Sequence, residues 1–127
     1  MSTNTQARPA FGTVLADQMA IATYRNGQWG QHEIRPTGPI EIHPAAHVLH
    51  YASECFEGFK AYRWADGSIR VFRMDKHIER MRQSARLLVL PEPDAALLAN
   101  MVLATIDRVR AQVPEPPGAL YMRPMLY

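Results

Sequence analysis

Residues 69–91 read IRVFRMDKHIERMRQSARLLVLP, and a change of period inside this stretch decides the fold. Ile69, Val71 and Arg73 alternate with Arg70 and Phe72, the two-residue period of a strand with unlike faces. From Met74 the period becomes helical. Met74, Ile78, Met81, Ala85 and Leu88 recur at steps of four and three and make one apolar stripe. A second stripe, about 120° round the cylinder, carries His77, Arg80, Ser84 and Leu87. Lys76, Glu79, Arg82, Gln83 and Arg86 take the solvent side, and Pro91 is expected to stop the helix.

The second stripe admits two readings. Arg80, between a His and a Ser at the border of the buried side, suits a bound anion. Its planar fork donates two parallel hydrogen bonds, matches phosphate and stays charged. It equally suits a boundary Arg whose stem lies on the core and whose head is in water.

Upstream, Met19 to Tyr24 reads as a strand, Asn26-Gly27 as a tight turn and Trp29 to Arg35 as the returning strand. Prolines punctuate the loop that follows, through which Ile40 to Ile42 can pass extended. His50 to Phe56 is expected to form a short helix ending at Gly58 as a left-handed cap. Phe59 to Trp64 is the next strand, turned at Asp66-Gly67 into Ile69.

Downstream, Asp94 to Val113 reads as an amphipathic helix. Leu98, Val102, Thr105 and Val109 form its buried row, with Leu97, Met101 and Ile106 beside them. Ala119 to Tyr127 is a final strand. Hairpins outnumber crossover units, which predicts an α+β fold, a mostly antiparallel sheet with helices packed on one side. Residues 1–10 are expected to be a disordered tail and 11–127 one domain. A stop at Tyr127, inside an apolar strand without a polar tail, reads as a piece of a longer protein.

The chain has 127 residues, 47% of them apolar, which suffices for one core. Fourteen Lys and Arg lie scattered among twelve acids for a net charge of +2, so there is no nucleic-acid footprint. No run is long and apolar enough to suggest a membrane span, and the N-terminus shows no secretory signal. The single cysteine, Cys55, forms no internal disulfide and fits the reducing cytoplasm.

Several residue sets could carry chemistry. His43, His47 and His50 have a spacing that invites a metal, but Pro44 disturbs it and no acid or Cys completes it, so loop histidines are the plainer reading. Cys55 beside Phe56 reads as a buried structural thiol before a nucleophile. Glu54 and Glu57 read as a solvated helix edge. Tyr121 and Arg123, two apart on a strand, share a face and suggest a carboxylate clamp among apolar walls. The alternative is that such tyrosines only pack in the core with their hydroxyls satisfied.

FGTVLADQM, HPAAHVLHYASECFEGFKAYRWADGS, the stretch 69–91 and ALYMRPMLY, in this order, resemble the small amino-terminal domain of branched-chain aminotransferases. These are fold-type IV enzymes dependent on pyridoxal 5′-phosphate. The resemblance spans Phe11 to Tyr127. It implies that Arg80, in HIERM, holds the cofactor phosphate. It also implies that Phe11, Phe56 and Tyr121 line the pocket for a branched side chain, and that Tyr51 reaches across a dimer interface. By the same resemblance Arg123 receives a substrate carboxylate, as when glutamate or 2-oxoglutarate replaces leucine, isoleucine or valine. A homodimer is implied.

The family's catalytic lysine lies in a second, carboxy-terminal domain. Neither Lys60 nor Lys76 stands in its motif, so these 127 residues alone are expected to hold no catalytic residue, to be inactive and not to bind the cofactor. Gln18 stands where a His is common. A D-amino-acid aminotransferase, an aminodeoxychorismate lyase or a non-catalytic dimerisation module are the alternatives.

Overall fold

The structure, a computed structural model, describes residues 7–127. The expected tail at 1–10 therefore lies mostly outside the described residues. Strand β1 (Gln18–Ile21) pairs antiparallel with β4 (Glu33–Pro36), and β2 (Tyr24–Arg25) with β3 (Gln28–Trp29). The expected hairpin is thus two short ladders in series. Its tip is closed by Asn26 and Gly27, both at positive φ (52° and 80°), as a tight hairpin turn requires.

Helix α1 (His47–Tyr51) lies upstream of the predicted position. Its left-handed cap is Ala52 (φ 52°), not Gly58, and Ala52 donates its N–H to the Val48 carbonyl. The early stop frees Cys55–Phe56 to form strand β5, which pairs with β9 (Met125–Leu126). The Glu57 N–H continues that edge by donating to the Pro124 carbonyl at 3.1 Å. Strand β6 (Phe59–Arg63) is the centre of an antiparallel trio, flanked by β7 (Ile69–Val71) and β8 (Leu120–Met122). The predicted last strand is therefore two, because Pro124 cannot donate to a ladder.

Helix α2 (Met74–Leu87) buries Ile78, Met81 and Ala85, the middle of its predicted stripe. Leu88, the last member, is 48% exposed. The helix has already stopped there, ahead of Pro91. The Val89 N–H donates to the Arg86 carbonyl, the Leu90 N–H to that of Ala85, and Val89 sits at φ 56°. That is a Schellman closure with a valine in the left-handed position usually given to glycine.

Helix α3 (Ala95–Arg108) buries Leu98, Val102 and Ile106, and ends short of the predicted Val113 in a 3-10 turn at Arg110–Gln112. Arg63 reaches from β6 to cover this end, donating to the carbonyls of Arg110 and Val113. Cys55, Ile78, Met81, Ala85, Leu98 and Leu126 join strand β5, both helices and β9 in one cluster. Phe59, Ala61, Val102 and Ile106 join the three-stranded sheet to α3 in a second. All ladders are antiparallel and these helices pack on one side of β5 and β6, the α+β arrangement expected.

Candidate functional site

The site grows from the alternation of one segment. Cys55, Glu57, Phe59 and Ala61 all point inward and are buried, while Phe56, Lys60 and Tyr62 point out. Glu57 is the one acid in the inward row and is 4% exposed, the only buried charged residue among those described. This corrects its reading as a solvated helix edge: the residue lies on an extended segment, and the second stripe of α2 covers it.

Arg80 Nε donates to Glu57 Oε1 at 2.6 Å, and Nη2 donates to Oε2 at 2.7 Å. His77, one helical turn before Arg80, hydrogen-bonds Glu57 Oε2 through Nδ1 at 3.0 Å, and its ring stacks on Phe59 at 5.0 Å. The hydrogen bonds from Arg80 outweigh burial and hold the Glu57 carboxyl below its usual range, and the same contact raises the Arg80 guanidinium. Arg80 is neither free in water nor buried. Its head is fastened on one side, yet the side chain is 64% exposed.

The outer face of the same segment carries the aromatic residues. Arg123 Nη2 donates to the Tyr121 hydroxyl at 3.0 Å, and the guanidinium lies 4.3 Å above the Phe56 ring. Phe11 meets Tyr121 edge-on at 4.8 Å. A Cβ on Gly58 would stand 2.8 Å from Tyr121 Cζ and closer still to its hydroxyl, so only glycine admits the tyrosine there. Lys60 faces Tyr121 across the ladder, a cation the sequence reading did not place at this face. The signal for it was present, since Phe56, Gly58 and Lys60 are two apart.

Phe11, Phe56, Tyr121 and Arg123 are therefore brought together. Arg80 is on the other side of the strand, fastened to Glu57, which lies between Phe56 and Gly58. Tyr51 stands apart, 73% exposed, its ring tilted by 42° against that of His47 at 4.5 Å. His47 bonds the Ser53 hydroxyl, His50 the Pro44 carbonyl, and His43 receives the Ala45 N–H. Each of these histidines thus has its own local partner, and no three His, Cys, Asp or Glu side chains among the described residues converge on a metal cage. Burial first, then the charges of Glu54 and Glu57, push the Cys55 thiol up, away from nucleophile chemistry.

Comparison with known proteins gives these groups a context. A branched-chain-amino-acid aminotransferase of Mycobacterium tuberculosis is 48% identical over 94% of the chain, and the cytosolic enzyme of that name from rat is 43% identical over 90%. The likeness to branched-chain-amino-acid aminotransferases covers nearly the whole chain. The chain spans about a third of those relatives' length, 33% and 28% respectively. The crystal structure of the Escherichia coli branched-chain amino acid aminotransferase superposes with a TM-score of 0.65 at 23% identity. It covers 89% of this chain and 33% of the other, and shows that the fold is shared. No family model matches the chain.

Proposed function

We propose that this chain is the small domain of a pyridoxal 5′-phosphate-dependent branched-chain aminotransferase, which moves the amino group of leucine, isoleucine or valine to 2-oxoglutarate. The observation that carries the proposal is the 48% identity over 94% of the chain to a relative of that name.

The residues fit the cofactor's phosphate. A guanidinium has five N–H groups, and Glu57 takes two of those on Arg80, leaving the end-on edge of Nη1 and Nη2 for a second anion. When bound, the cofactor supplies an electron sink for the carbanion formed at the substrate's α-carbon. This chain's own residues do the holding. Arg80 receives the phosphate. Phe56, Phe11 and Tyr121 offer an apolar wall to a branched side chain. Arg123, drawn over the Phe56 ring and held by the Tyr121 hydroxyl, meets a carboxylate when the side chain is acidic. Such a cation at an aromatic rim lets one pocket accept both leucine and glutamate, because it lies over a ring for the first and reaches an anion for the second.

Lys60 and Lys76 are both exposed, on β6 and α2, and neither is assigned the catalytic role. We assign that role to a lysine outside these 127 residues, in line with their share of the relatives' length. A cytoplasmic homodimer completes the reading. The rat relative is named cytosolic, and the 73% exposure of Tyr51 suits a side chain offered to a partner. No helix among the described residues is long and apolar enough to cross a membrane.

The test is an amino-transfer assay on the protein from the complete reading frame, with leucine and 2-oxoglutarate as substrates and glutamate as the product measured. Cofactor-dependent glutamate formation is expected, with activity lost in Arg80→Ala and the glutamate half-reaction weakened selectively in Arg123→Ala. Absence of transfer to 2-oxoglutarate from any branched-chain donor would overturn the proposal.

A further inference from the structure

The buried carboxylate of Glu57 is the least expected group in the molecule. An acid costs free energy to desolvate, and it persists inside only when its lone pairs are matched. Here all the matching comes from α2. Arg80 supplies two charge-assisted hydrogen bonds and His77 a third contact, while the cation on the opposite side of the strand, Arg123, is engaged with the Phe56 ring and the Tyr121 hydroxyl. A stability role alone would place both charges together inside. Instead the acid is 4% exposed and the Arg side chain 64%. The pair is lopsided, with its anion hidden and its cation presented.

The geometry of the contact gives that asymmetry a use. Glu57 grips Arg80 side-on, through Nε and Nη2. A grip on the Nη1–Nη2 edge would have consumed the pair of donors best suited to a phosphate. The side-on grip leaves that pair free and parallel. It also fixes the terminal torsions of a long side chain before any ligand arrives. A free Arg loses rotamer entropy when it is ordered, and a ligand that must order it binds more weakly for that reason.

We propose that Glu57 is a positioning residue that holds Arg80 by one edge of its guanidinium so that the other edge is presented, already oriented, to the cofactor phosphate. This rests on the reading of Arg80 as the phosphate ligand. Two effects oppose each other. Orientation by Glu57 strengthens phosphate binding, whereas its negative charge, on the far side of the same guanidinium, weakens it. Solvent at the exposed Arg80 head screens the repulsion, while the ordering benefit is not screened, so orientation dominates.

The experiment uses cofactor-free protein from the complete reading frame and compares dissociation constants for pyridoxal 5′-phosphate and for pyridoxal by equilibrium dialysis. Glu57→Gln keeps the shape but sets an amide donor against Nη2 and so breaks the fork. The expected result is about a tenfold rise in the constant for the phosphate ester, with that for pyridoxal changed less than about twofold. Equal weakening of both ligands would mean a merely structural role and would overturn the inference. So would unchanged or tighter binding of the phosphate ester, which would mean that repulsion wins. A wild-type protein that does not distinguish the two ligands would overturn the Arg80 reading and this inference with it. Should Glu57→Gln fail to fold, Arg80→Lys decides the matter. It keeps the charge and offers no second edge, so the preference for the phosphate ester is expected to fall about tenfold. A preference retained in Arg80→Lys would mean that charge alone binds the phosphate, and Glu57 would have nothing to orient.

Discussion

Phe56 and Glu57 are successive residues whose side chains enter two different environments. Inward, Glu57 sits in a fixed polar cluster in which each contact with Arg80 and His77 is 3.0 Å or shorter. Outward, Phe56, at 56% exposure, shares a looser set with Arg123, Tyr121 and Phe11, joined by ring contacts and one neutral-acceptor hydrogen bond. The first region is built to hold one geometry. The second is built to be displaced, because no buried charge penalises its opening. On the proposed function, gripping one unvarying phosphate and accepting side chains of different polarity call for both kinds of surface, and a pleated strand supplies them on opposite faces.

The largest expected effect tests the platform beneath both regions. Met81 is 3% exposed at the junction of α2 with the core, so Met81→Ala should cost about 2–5 kcal/mol in denaturant unfolding. A cost below about 1 kcal/mol would mean that α2 is not rigidly seated and cannot fix Arg80.

Next comes the contrast itself. Arg80→Ala strands a buried carboxylate and should lower the melting temperature clearly. Arg123→Ala removes an exposed cation–π contact worth about 0.5–1 kcal/mol and should hardly move it. Equal effects would erase the distinction between the regions. The pH dependence sharpens it. Because the folded Glu57 carboxyl lies below its ordinary value, its contribution is present above the ordinary carboxylate range and is lost as pH falls through the lowered value. The stability gap between wild type and Glu57→Gln should therefore narrow between about pH 7 and about pH 3, as read from melts across that range.

A smaller effect is confined to the outer face. Gly58→Ala should push Tyr121 aside, removing the Phe11–Tyr121 ring contacts seen by NMR while leaving the Arg80 side-chain resonances in place. The smallest lies outside both regions. Val89→Gly relieves a β-branched residue at φ 56° and should stabilise the protein by about 1 kcal/mol without altering ligand affinity.

What could be read from the chain follows the same division. The helical period of Met74, Ile78, Met81 and Ala85 was sufficient to place α2 and to put Arg80 at its border, because side-chain burial has that period. The partner of Arg80 was hidden by a misplaced helix. With His50 to Phe56 read as helical, Glu57 fell at a solvated edge, whereas Cys55, Glu57, Phe59 and Ala61 form the inward row of an extended segment. An acid interrupting such a row was the available sign of a buried ion pair. Tyr121 and Arg123 were legible as a pair because strand neighbours two apart must share a face. Their meeting with Phe11 was not, since more than a hundred residues separate them and only tertiary packing joins them.

The end of α2 has a consequence for how the molecule assembles. Nothing in Leu88-Val89-Leu90 instructs a helix to stop, and glycine is absent from the turn that reverses it. Pro91 denies Leu90 the helical conformation, and Leu90 lodges instead against the cluster that contains Ile78 and Leu98. Excised as a peptide, this segment would still be kept from continuing as helix by Pro91, but Leu90 would have no cluster to pack against and the exit direction of the chain would lose the contact that fixes it.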